Sequence, residues 1–204
     1  MRRIRRRTMA AVIAVIGLAL VSGTPYSRAA DISQAHKTLE PSATNVELGG
    51  AAHVVDSFTL VSANTLERVE VRYVDGVVDE TSRQQVDHLM RCLRTDSAKR
   101  MDTRLIDTLR EIAKEVDAPL ELVSGYRAPQ NWRDHNFHSR GQAADIRVKG
   151  IGASKLRKIA RKLGVRGVGW YPTTNMIHVD TRDEDWFWTD WSGPGQIGRE
   201  IPSR

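Results

Sequence analysis

Gln142-Ala143-Ala144-Asp145-Ile146-Arg147-Val148 alternates between two kinds of side chain, and the alternation returns in Met176-Ile177-His178-Val179-Asp180. In an extended chain successive side chains point to opposite faces, so Ala143, Asp145 and Arg147 share one face of a strand while Ile146 and Val148 take the other. His178 and Asp180 likewise share a face, with Ile177 and Val179 opposite. The apolar sets belong against a core, which turns a carboxylate and an imidazole outward into a cleft. His138 stands at the end of the loop that leads into the first strand. Two imidazoles and a carboxylate with a fourth position open are the donor set of a catalytic zinc, each ligand at about 2.0–2.1 Å. On spacing alone, His138, Asp145 and His178 compete with a blander reading as hydrogen-bonded polar residues. That blander reading is the one given to His36, His53 and His88.

Upstream of these strands, Leu120 to Val123 reads as a short strand and Ser124 to Gly141 as a long loop. Leu105, Leu109, Ile112 and Val116 recur at helical spacing behind a capping Asp102, and Val86, Leu89, Met90 and Leu93 do so before them. Cys92, the single cysteine, falls inside that earlier pattern and reads as a small core residue that has no internal disulfide partner. Strands begin near Ser57, and Val69, Val71 and Tyr73 alternate with Glu70 and Arg72 before the turn pair Asp75-Gly76. Between the two site strands a helix starts near Ser154, buries Leu156, Ile159 and Leu163, and stops at Gly164. Gly167 to Tyr171 and Met176 to Thr181 form the last strands, joined through Pro172-Thr173-Thr174-Asn175 as a hairpin. Trp186, Trp188 and Trp191 read as core packing, with an aromatic wall for the cleft as the alternative. Helices segregated from a small, mostly antiparallel sheet make the class α+β.

The ends set the compartment. Met1 to Ala30 combines a basic start (Arg2, Arg3, Arg5, Arg6, Arg7), an apolar run from Met9 to Val21 and small residues at Ser27, Ala29 and Ala30. A span needs about 20 apolar residues, so residues 1–30 read as a cleaved export signal rather than an anchor. The paired arginines leave the Sec and twin-arginine routes both open. Residues 31–55 follow as an irregular arm and 56–204 as one domain. The whole chain carries 31 Lys+Arg against 25 Asp+Glu. The signal holds six of those arginines and no acid, so the mature chain is balanced and nucleic-acid binding is not expected.

Three ordered motifs sharpen the site. Ser124-Gly125-Tyr126-Arg127, the His-x-x-Gly-x-Ala-x-Asp run at His138 to Asp145, and Gly167-Val168-Gly169-Trp170-Tyr171-Pro172 leading to Asn175-Met176-Ile177-His178-Val179-Asp180-Thr181 resemble the zinc D-Ala-D-Ala peptidase and hedgehog superfamily. Within it the chain is most similar to the murein endopeptidase K-like branch, exported enzymes of the Gram-negative periplasm. The resemblance implies one Zn2+ per chain on His138, Asp145 and His178, and Arg127 as the group that stabilises the oxyanion or binds substrate. A surface arginine paired with an acid is the alternative for Arg127.

Two departures bear on mechanism. Many relatives have Ser where Asn136 stands. The dipeptidase members carry a Glu base three residues before the last ligand, and here that place is Asn175, whose amide cannot accept a proton. Asp180, as base or as the partner that orients His178, and His135 in the loop are the remaining candidates. The expected function is an exported zinc metallopeptidase that hydrolyses peptide cross-links of peptidoglycan, acting in the periplasm as a monomer on wall peptide stems. The alternative is a zinc-containing module that binds wall peptides without cutting them.

Overall fold

The computed structural model describes residues 55–132 and 134–203. The expected export signal and nearly all of the arm lie outside the described residues.

The first pair of strands, β1 (Val55–Ser62) and β2 (Arg68–Val74), is antiparallel, with Phe58, Leu60, Val71 and Tyr73 buried on one face. Asp75 and Gly76, both at positive φ, turn the chain into the short β3 (Val77–Val78), as a two-residue hairpin turn requires. Asp79 then caps α1 (Glu80–Leu89) by accepting from the Ser82 N–H, and Asp102 caps α2 (Thr103–Val116) by accepting from the Arg104 N–H. The second half runs β4 (Leu120–Ser124), α3 (Phe137–Arg140), β5 (Ala143–Arg147), α4 (Ala153–Lys162), β6 (Gly167–Tyr171), β7 (Met176–Asp180), β8 (Trp186–Thr189) and β9 (Ile201–Pro202).

All strands join one sheet in the order β3-β2-β1-β4-β5-β7-β6-β8-β9. β1 pairs with β4 and β6 with β8 in parallel; every other neighbour is antiparallel. The fold is α+β as expected, on a sheet larger than the sequence pattern indicates. Leu105, Ile106, Leu109 and Ile112 of α2 and Leu156 and Ala160 of α4 enter one core with Ile146 of β5, Val168 of β6 and Ile177 and Val179 of β7. The alternation read from the sequence therefore holds: the core takes one face of β5 and β7, and the site takes the other.

Three local readings change, one of them in α4, which buries Ala153, Leu156 and Ala160 while Ile159 is partly buried and Leu163, past its end, is exposed. α1 stops at Leu89, and Cys92 instead pairs with Ser97 in a tight turn, leaving Leu93 half exposed. A hydrophobic i, i+3 spacing continues across that turn without a helix to carry it. The loop after β4 also contains the single turn α3, too short to carry a hydrophobic period.

Candidate active site

The sheet register brings the ligands together. β5 lies between β4 and β7, and Asp145 stands directly opposite His178 on one side and Ser124 on the other. His138 arrives from α3, whose entry is fixed reciprocally: the Asn136 side chain accepts from the Ser139 N–H, and the Ser139 hydroxyl accepts from the Asn136 N–H. Asparagine is among the strongest N-caps, so this position loses nothing by not being serine.

Asp145 Oδ1 lies 3.0 Å from His178 Nδ1 and 3.4 Å from His138 Nε2, and the two ring nitrogens are 3.1 Å apart. The ligand atoms of all three residues fall within 4.8 Å of one another, and all three side chains are buried. Tautomers are set from behind. His138 Nδ1 sits 2.7 Å from the Gly125 carbonyl, which can only accept, so Nδ1 carries the proton and Nε2 presents a lone pair to the cluster. His178 Nε2 sits 3.0 Å from Asp180 Oδ2, which leaves Nδ1 facing inward. Burial holds His138 below its ordinary pKa and hence neutral, the ligating form. His178 lies between two carboxylates; burial opposes its charged form, but hydrogen bonds to Asp145 and Asp180 outweigh burial and favour a cation there. A metal ion that displaces the inward proton of His178 would meet two ring lone pairs and a carboxylate oxygen in surroundings that favour positive charge.

Asp180 is itself locked. Burial would raise its carboxyl, but Arg182, donating to both oxygens at 2.8 and 2.6 Å, and His178 outweigh that and hold it well below the usual carboxylate range. The room for this network comes from two glycines. Gly167 pairs with Asp180 across β6 and β7, and a Cβ there would lie 1.9 Å from Asp180 Oδ1. Gly169 pairs with His178, and a Cβ there would lie 2.5 Å from the Trp188 ring, which packs 5.1 Å from the His178 ring centroid.

Arg127 donates through Nη2 to Asp145 Oδ2 and through Nε to Ser124 Oγ at 2.8 Å. One carboxylate oxygen is thus taken by the guanidinium, and the other is turned to the histidines. A cleft of about 400 Å³ opens beside them, lined by Arg127, Asp145, Tyr171, Met176, Asp190 and Glu200 among others.

A family model described as peptidoglycan L,D-endopeptidase MepK matches residues 50–186. The chain belongs to this MepK family. It is 30% identical over 138 residues to the peptidoglycan L,D-endopeptidase MepK of Escherichia coli (strain K12), a match covering 60% of this chain and 75% of that protein. It is 32% identical over 111 residues to a probable peptidoglycan L,D-endopeptidase MepK of Haemophilus influenzae, covering 48% and 60%.

Within this MepK-family fold the remaining site residues separate clearly. Asn175 adopts left-handed backbone at φ 50°, and its Oδ1 accepts from the Ala153 N–H at 2.8 Å. Gly152 offers no side chain to cap α4, so Asn175 caps it from the hairpin. Its amide is committed to the fold. His135 is exposed in the loop before α3, outside the buried cluster. The three tryptophans divide: Trp188 is buried against His178, whereas Trp186 and Trp191 are exposed.

Sequence reasoning missed Tyr171, Arg182, Asp190 and Glu200. Tyr171 pairs with Met176, one period along from Gly169 and His178, so it stands on the site face of β6. Its oxygen accepts from Trp188 Nε1 at 3.2 Å, leaving its own O–H for the cleft, and burial pushes the phenol up to about 12. The signal was present in the alternation of Gly167, Gly169 and Tyr171. Asp190 and Glu200 belong to the C-terminal segment, where no motif marks them.

Proposed function

We propose that the chain is a zinc metallopeptidase that hydrolyses peptide cross-links of peptidoglycan, at a bond joining an L centre to a D centre, after export to the periplasm. The observation that carries this reading is the buried His138, Asp145 and His178 set at the edge of a cleft, in a chain of the MepK family. Residues 1–30 would serve as the export signal and 56–204 as the catalytic domain.

Zinc, when bound by these three residues, lowers the pKa of water towards about 7 and polarises the scissile carbonyl. Arg127 holds Asp145 and presents its remaining N–H groups to the developing oxyanion. Tyr171 keeps its proton at neutral pH and adds a second donor from the site face of β6. Of the two roles expected for Asp180, the geometry supports the orienting one, since it bonds the edge of His178 that faces away from the cluster and is neutralised by Arg182. Proton acceptance then falls to a group that reaches the cleft. Asp190 is occupied by the Ser192 and Arg199 N–H groups, which leaves Glu200 as the acceptor.

Digestion of purified sacculi with and without a chelator, followed by muropeptide separation, tests the reading. Zinc-dependent loss of cross-linked species is expected. If wall peptides are retained on the protein and never cut, the binding-module alternative holds.

A further inference from the structure

A second cavity of about 450 Å³ lies between the loop after β4 and the turn after α1. Leu89, Leu93 and Leu122 give it apolar walls, and Arg91, Arg94 and Arg127 line it against a single acid, Asp134. That acid is occupied by the loop itself, because Asp134 Oδ2 accepts from the Gln130 and Asn131 N–H groups. Arg91 is paired with Glu67 and Asp96, each at 2.8 Å. Arg94 makes no ion pair among the described residues, and its Nη2 donates to the Ala128 carbonyl at 2.5 Å, which holds the guanidinium at the cavity. Arg127 lines both cavities, and the one beside His138, Asp145 and His178 carries the acids Asp145, Asp190 and Glu200.

We infer that the second cavity is a subsite for the carboxylate-bearing end of a wall stem peptide, recognised by Arg94, while the bond to be cut lies in the acidic cleft. The inference rests on the peptidoglycan reading for its ligand class. Small apolar side chains suit the leucine walls, and an unpaired guanidinium supplies charge-assisted hydrogen bonds to a carboxylate.

Calorimetric titration of the zinc-loaded protein with an uncross-linked, carboxylate-bearing stem peptide and with its fully amidated counterpart tests this. The free-carboxylate peptide should bind roughly five- to tenfold more tightly, as one partly exposed charge-assisted contact allows, and the preference should shrink as salt rises. Arg94→Gln should abolish the preference and Arg94→Lys should keep most of it. Equal affinity for the two peptides, no binding of either, or a preference that survives Arg94→Gln would overturn the inference, the last placing the carboxylate at the metal. Selective binding by a protein that cuts no wall peptide would leave the subsite standing and remove the catalytic reading instead.

Discussion

Asp180 acts on the cluster only through His178, and that fixes what its replacement should do. Asp180→Asn keeps the shape but removes the charge that holds the His178 ring, so metal affinity should fall about 10- to 100-fold, as for other partners behind a ligand. His178→Ala should lose the metal altogether by mass spectrometry of the native protein, and His138→Ala should do the same. Tyr171→Phe removes a single hydroxyl, and with metal content unchanged the turnover should drop roughly 10²-fold, the loss typical of one oxyanion donor. A raised phenol pKa favours the protonated, folded form, a contribution complete below the ordinary value of about 10 and lost as pH climbs towards about 12. No alkaline limb of activity below pH of about 10 should therefore vanish in Tyr171→Phe. Glu200→Gln should slow turnover by roughly 10²-fold while His135→Ala stays near the native rate; the reverse result would move the proton acceptor to His135. At this scale His138, Asp145, His178 and Arg127 were marked by the family resemblance, each inside a dense local motif, and the sheet register brings the four side chains together, with Arg127 paired to Asp145. Glu200 was not legible, since its position depends on β9 returning to β8, a contact without a local pattern.

The β6–β7 pair concentrates the sheet's contribution to the site. Gly167 and Gly169 leave the space that the Asp180 carboxylate and the Trp188 ring fill, so each glycine is a packing requirement imposed by a neighbouring strand, β7 for Gly167 and β8 for Gly169. Gly167→Ala should cost about 1–3 kcal/mol by overpacking and displace Asp180 from His178. Thermal unfolding together with metal titration checks this, and native values for both would show that the strands separate without penalty. Strand and helix types were largely readable from period and caps: Asp102 behaves as the cap its position announces, and β5 and β7 divide core from site by strict alternation. Two element-scale facts were hidden. Asn175 caps a helix from another part of the chain, and α3 is a single turn fixed by the reciprocal Asn136 and Ser139 bonds; neither depends on a hydrophobic period.

For the whole molecule, the sheet gathers into one site residues that lie far apart in the chain, from Arg127 near the middle to Glu200 close to the end. Residues 31–204 carry equal numbers of Lys+Arg and Asp+Glu, so for a chain without residues 1–30 substrate preference would rest on local charge at the two cavities. Among the described residues no helix is long and apolar enough to cross a membrane. The most direct test is to strip the protein of metal, return Zn2+ in steps, and follow cleavage of cross-linked muropeptide dimers. Turnover should be absent in the stripped protein, rise linearly to a plateau at one equivalent, and stay absent in His178→Ala at every step. Full cleavage by the stripped protein, or by His178→Ala, would contradict the assignment of His138, Asp145 and His178 as the centre of a zinc peptidase.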